Sequence, residues 1–183
     1  MHKLSHEEIS RNRLKPVDLP GARRAPIFGL LDNVRSLYNV GSIFRTSDGA
    51  LVSHLFLTGF TPSPPRKEID KTALGATKTV PWSHHADPLE AVQTARQRGA
   101  RICVLEHTSR SIPYFELSAT DFPLCLVVGN ELTGVSDHLI RAADIAIEIP
   151  MVGTKQSLNA AVAFGIALFD MVRILKDVDP NRP

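Results

Sequence analysis

Features missing from this sequence exclude several kinds of protein before any motif is considered. Among 183 residues there are two cysteines, Cys103 and Cys125. Each sits in a short apolar run, RICVLE and LCLVVG, with no CxxC or His-rich company. Buried reduced thiols are expected, and no metal site. No apolar run approaches the roughly 18 residues of a membrane span. The opening MHKLSHEEISRNRLKP has no apolar heart of the kind an export signal carries, so a cytoplasmic protein is expected. Neither GxGxxG nor GxxxxGK[ST] occurs, which removes the fingerprints of dinucleotide and P-loop sites. Trp82 is the only tryptophan and reads as a packing residue. His54, His107 and His138 have no acidic partner at ligand spacing, and His84–His85 reads as a surface pair in a loop. Net charge is only +2, too even to mark a nucleic-acid partner by itself.

What is present is a regular alternation. Short apolar runs at 27–31, 55–58, 102–106, 124–128 and 146–149 read as strands. Between them, helices are expected over about 69–74, over 87–98 with Leu89, Val92 and Ala95 on one face, and over 157–176. Continuous apolar strands alternating with helices predict an α/β fold, a parallel sheet covered on both faces. The length suits one domain. We divide the chain into a basic extension (1–25), one domain (26–176) and a polar tail (177–183).

Ligand sites in such sheets lie in the loops beyond the carboxyl ends of the strands, and three of these loops are rich in Gly, Asn, Ser and charge. In DNVRSLYNVGSIFRTSDG, Asn39 is placed to cap a helix starting near Val40, and Arg45 follows about one and a half turns in. A guanidinium there can grip phosphate, or simply face solvent. In VVGNELTGVSDHL a strand runs straight into Gly129 and Glu131, which suits either a tight turn or a carboxylate aimed at a ligand. In IEIPMVGTKQSLNAAVAFGIALFDMVR, Ser157 reads as the cap and Asn159 as part of the first turn. The small residues of that helix invite close packing on the sheet or on a second subunit. The first 25 residues carry six Lys or Arg against three acids, either a phosphate-facing arm or a solvated one.

NVGSIFRT (39–46), VVGNELTGVS (127–136) and IPMVGTKQSLNAAVAFGIALFDMVR (149–173), in this order, resemble the SpoU or TrmH-like branch of the SPOUT RNA methyltransferases. The likeness spans about Pro26 to Leu175. It implies a parallel sheet flanked by helices with a C-terminal deep trefoil knot, against the general rarity of knots. It further implies transfer of a methyl group from S-adenosylmethionine to a ribose 2'-hydroxyl of tRNA or rRNA, by a homodimer without metal or membrane. The residues carried over are Asn39, Arg45, Glu131, Ser157 and Asn159 for catalysis. The cofactor would meet Gly129, Ile149, Met151, Leu158 and Thr108; from the charge distribution, not the resemblance, Arg11, Arg13, Arg23, Arg24 and Arg35 are the candidates to meet RNA. Glu131 is expected to orient Arg45, with Arg45 holding phosphate and growing negative charge rather than acting as a base. The competing expectation is a knotted RNA-binding or assembly protein without turnover.

Overall fold

The apolar runs become the centre of one sheet. A computed structural model describes residues 1–11 and 13–180. In chain order it contains α1 (His6–Arg11), a 3-10 helix (Pro16–Gly21), β1 (Ala25–Asp32), α2 (Leu37–Gly49) and β2 (Val52–Thr58). These are followed by α3 (Lys67–Ala73), β3 (Trp82–His85), α4 (Pro88–Gln97), β4 (Arg101–Leu105) and β5 (Ile112–Pro113). Last come β6 (Leu124–Val128), α5 (Asp137–Ala142), β7 (Ile145–Glu148) and α6 (Ala160–Val178). The seven strands form one sheet in the order β3-β2-β1-β6-β4-β7-β5, and every pairing is parallel.

Both faces are covered, as continuous apolar strands require. Successive residues of β6 alternate between two cores. Leu124, Leu126 and Val128 join residues of α2, α3 and α6, while Cys125 and Val127 join α4 and α5. Gly29 in β1 is small for a reason: a Cβ there would run into Leu55 and the Phe164 ring, so its absence seats α6 on the sheet. Both thiols are free and buried, and burial pushes Cys103 up to about 12.

Several local expectations are corrected. Trp82–His85 is an edge strand paired with β2, not a loop. Four half-polar residues carry no apolar run, and only the neighbouring strand's free edge makes them a strand. Leu89 stays exposed, while Pro88, Ala91, Val92 and Ala95 turn inward. The cap of α2 is Ser36, whose hydroxyl accepts the amide of Asn39. The cap of α6 is Asn159, which accepts the amides of Ala161 and Val162, so that helix starts three residues after Ser157. At its far end α6 runs to Val178, into the stretch expected to be a polar tail, whose residues 181–183 lie outside the described residues. Asp144 and Asp32 hold strand ends in place, the latter accepting the amide of Ser136 at 2.8 Å.

Candidate active site

The strand order puts β1, β6, β4 and β7 side by side, so their following loops emerge together at one edge. There the loops after β4, β6 and β7 enclose a pocket of about 540 Å³, a size suited to a small ligand. Its walls come from Leu105–His107, Val128–Val135, Glu148–Ile149, Met151 and Ser157–Ala160, with Ala163 behind. Four of the five expected cofactor residues, Gly129, Ile149, Met151 and Leu158, therefore line one cavity. Thr108 does not line it. Its hydroxyl instead accepts the amide of Arg110 and pairs with Ser111 within a turn.

Glycine is needed at both ends of the 129–134 turn. Asn130 and Gly134 exchange backbone hydrogen bonds of 3.0 and 2.9 Å, and a Cβ on Gly129 would collide with the backbone of Gly134. Gly134 has φ +71°, which an L side chain rarely adopts. The result is a bare backbone wall facing the apolar side chains of Ile149, Met151 and Leu158. A flat, mostly apolar heterocycle with a polar edge fits such a wall, so an adenosyl group suits the residues present.

At the mouth of the pocket three distant residues are laced together. Asn39 is buried, donates to Glu131 at 2.8 Å and accepts from Asn159 at 3.0 Å. Glu131 also accepts the backbone amides of Arg35 (2.9 Å) and Ser36 (3.1 Å). Partial burial opposes ionisation of this carboxylate. The amides of Arg35, Glu131 itself and Ser36, together with the Asn39 side chain, outweigh it and hold its pKa below the ordinary value. A carboxylate so held is a poor base and a good fixed anion.

The shift has a sign that can be checked. A depressed pKa in the folded state means stability that is present above the ordinary carboxylate value and lost as pH falls from there through the lower folded-state value. Glu131→Gln is expected to melt roughly 2–4 °C below the parent at pH 7, corresponding to about 1 kcal/mol. That value is set below the roughly 1.5–3 kcal/mol of hydrogen bonds to charged groups, because solvent reaches the site. The gap is expected to narrow as pH falls below the ordinary carboxylate value. A gap that stays constant in melting curves from pH 7 to pH 3 would rule out the ionised acceptor.

Arg45 is elsewhere. Within one chain Glu131 accepts from Arg35, Ser36 and Asn39 and makes no hydrogen bond with Arg45. Six residues along a helix amount to about 240° of rotation, which turns Arg45 away from the face carrying Asn39. It lies exposed in a second hollow of about 940 Å³, walled by Pro16, Leu19 and Pro20 of the N-terminal 3-10 helix, by Arg24 and Asp48, and by residues 73–81. The two hollows share no lining residue. Ser157 lies exposed on the rim of the first.

The arm cations differ among themselves. Arg11, Arg13 and Arg35 are exposed, and Arg23 pairs with Asp179 at 3.0 Å at the surface. Arg24 is half-buried and donates to the carbonyls of Val52 (3.0 Å) and Thr79 (2.8 Å), so its guanidinium already serves the fold. Among the described residues, no group of three or more His, Cys, Asp or Glu is placed to hold a metal ion, and no helix is long and apolar enough to cross a membrane.

Sequence reasoning missed three acids at strand ends. Asp32 closes β1, Glu148 closes β7 and Glu106 follows β4. Glu106 accepts the amide of Val135 at 3.0 Å, bracing the 129–136 loop. Glu148 lies 3.2 Å from His107, so that histidine does have an acidic partner, 41 residues away. The signal was available, because each occupies the same kind of position that draws attention to Glu131.

The chain is similar to known proteins in sequence and fold. Over 170 residues the chain is 34% identical to a tRNA (guanosine(18)-2'-O)-methyltransferase of Thermus thermophilus, covering 91% of this chain and 83% of that protein. The A. aeolicus TrmH/SpoU tRNA modifying enzyme superposes with a TM-score of 0.79 at 30% identity, over 93% of this chain and 86% of that one. An AdoMet-bound rRNA methyltransferase from Sinorhizobium meliloti does so with a TM-score of 0.77 at 29% identity, over 93% and 70%. Residues 26–169, which hold both the glycine-walled pocket and the Asn39–Glu131–Asn159 lacing, match the SpoU rRNA Methylase family, and the chain belongs to that family.

Proposed function

We propose that this protein is an RNA methyltransferase that moves a methyl group from S-adenosylmethionine to a ribose 2'-hydroxyl of tRNA or rRNA, working as a homodimer in the cytoplasm. The observation that carries the reading is the pocket formed by Gly129, Ile149, Met151 and Leu158, with Asn39, Glu131 and Asn159 hydrogen-bonded across its mouth. We take the chain beyond Ile149 to thread a deep trefoil knot, as the family relation implies. Relatives named as methyltransferases leave a non-catalytic binding protein without support.

S-adenosylmethionine held there supplies a methyl carbon made electrophilic by its sulfonium. The chain's own residues do the rest by positioning and electrostatics. Glu131 and Asn159 pin the first turn of α2 against the pocket mouth through Asn39. Ser157, exposed at the rim, takes a hydrogen bond from the ribose hydroxyl and passes its proton outward. Arg45, which cannot serve as a base, binds the adjacent phosphate and stabilises charge growing on the attacking oxygen.

One chain does not bring Arg45 to its own pocket, and this supports the dimer. On α6, Val162 and Phe169 are about half exposed, with Ile166 partly buried between them at helical spacing. This apolar stripe borders α2, since Gly165 faces Thr46 and Phe169 faces Gly49. Arg45 therefore emerges beside the surface that a second copy would cover. A twofold contact there sets the Arg45 of each copy near the pocket of the other.

The direct experiment is to incubate the protein with methyl-labelled S-adenosylmethionine and bulk tRNA or rRNA, then digest to nucleosides for mass spectrometry. Label is expected on 2'-O-methyl nucleosides. Label absent from every RNA, or found only on bases, contradicts the proposal. The arm is tested separately. Replacing Arg11, Arg13 and Arg23 by Ala should lower RNA affinity and flatten its dependence on salt, by about 0.7–0.9 in log–log slope for each phosphate no longer neutralised. Unchanged affinity and slope across a salt series would mean the arm does not hold RNA.

A further inference from the structure

His107 lies two residues beyond the end of β4 and forms part of the pocket wall. Its Nδ1 lies 3.2 Å from a carboxylate oxygen of Glu148, and its Nε2 lies 3.1 Å from the carbonyl oxygen of Gln156. Both partners are pure acceptors. A neutral imidazole carries a single N–H and can satisfy only one of them, whereas an imidazolium donates to both. The second contact matters because Gln156 immediately precedes Ser157, Leu158 and Asn159, which complete the pocket and its mouth. The ring thus straps the 150–158 loop to the ends of β4 and β7, and the strap is complete only when the ring is charged.

We propose that His107 is a proton-dependent clasp on the cofactor loop, a positioning residue that makes cofactor affinity fall as pH rises. The inference rests on the methyltransferase reading, because it places the cofactor in this pocket. The other charged groups around the ring are Glu106, which accepts the amide of His107 at 2.9 Å, Glu148, and Lys155 in the strapped loop. Glu131 and Asp137 lie on the far wall, and His138 of α5 pairs with Ser136. Carboxylates and lysines ordinarily change charge outside pH 6 to 8, and imidazoles within it. The bound state needs the loop closed and so favours the imidazolium. Binding therefore takes up protons, and affinity is greatest on the acid side.

The test is titration calorimetry with S-adenosylhomocysteine, which lacks the sulfonium charge, at pH 6, 7 and 8 and constant ionic strength. The dissociation constant of the parent protein is expected to rise about three- to tenfold from pH 6 to pH 8, a modest span because the ring is partly exposed. His107→Gln is expected to bind weakly and without this slope. Glu148→Gln, which leaves the ring in place, is expected to keep a shallower one. A flat profile for the parent, or the full slope retained in His107→Gln, would overturn the clasp. A folded protein that does not bind S-adenosylhomocysteine at any pH would instead overturn the cofactor assignment beneath it.

Discussion

Arg45→Ala is expected to lose methyl transfer by about 10²–10³-fold in kcat, the scale seen when one group stabilising a developing oxyanion is removed. Affinity for S-adenosylhomocysteine should not change. The expectation follows from position. Within one chain Arg45 lies in a hollow that shares no wall with the pocket, and the guanidinium proposed to arrive from the second copy is assigned to the phosphate, so its truncation should leave the adenosyl contacts intact. Its guanidinium makes no hydrogen bond with Glu131 of the same chain, which accepts from Arg35, Ser36 and Asn39. Calorimetry and single-turnover rates on the same preparation separate the two effects. Loss of binding in step with activity would place Arg45 in cofactor capture and refute the assigned role.

Placing a charge on the α6 stripe is expected to have a comparable effect by another route. Phe169→Asp should convert the dimer to monomer, because an unpaired carboxylate in an apolar contact costs about 3 kcal/mol or more, roughly 10²-fold in the dissociation constant. Half the Phe169 surface is already in solvent, so the monomer should remain folded and bind S-adenosylhomocysteine. Turnover should nevertheless collapse, because the pocket would be without the guanidinium of its partner. Complementation sharpens this. Arg45→Ala mixed with Gly129→Val, whose pocket is blocked, should regain activity through mixed dimers that hold one intact composite site. An active Phe169→Asp monomer in light scattering would show that each chain supplies its own Arg45.

The polar lacing explains why local rules fail where they do. Asn39 and Ser157 both read as helix caps because each is a short polar residue at the head of an apolar stretch. The backbone uses Ser36 and Asn159 instead. In α2 this frees the Asn39 side chain to reach Glu131 and Asn159, while in α6 Asn159 does both jobs, its oxygen capping and its amide nitrogen donating to Asn39. A cap and a cross-link compete for the same few atoms, and only the position of the other loop decides between them. Arg24 is a similar case: in sequence it is one more cation of a basic arm, yet the carbonyls of Val52 and Thr79 claim it.

Local patterning was enough to locate five of the seven strands and the loops that would matter, while the short edge strands β3 and β5 and the short helices α1 and α5 carried no such signal. Apolar runs such as APIFGLLD and LCLVV are long and uninterrupted enough that only a strand buried on both faces accommodates them. The Gly, Asn and Ser clusters had to fall at the ends of those strands. Which loops meet, and through which atoms, depends on the assembled fold. Asn39 finds Glu131 across 92 residues and Asn159 across 120, and Asp32 finds Ser136 across 104. Those pairs exist because β6 inserts beside β1 and β4, an order the chain does not follow. The same geometry turns Arg45 away from the pocket its neighbours build. Hydrophobic periodicity reports how each segment sits against the core, which is a local property. The partners of a buried polar atom depend on where every other strand has gone.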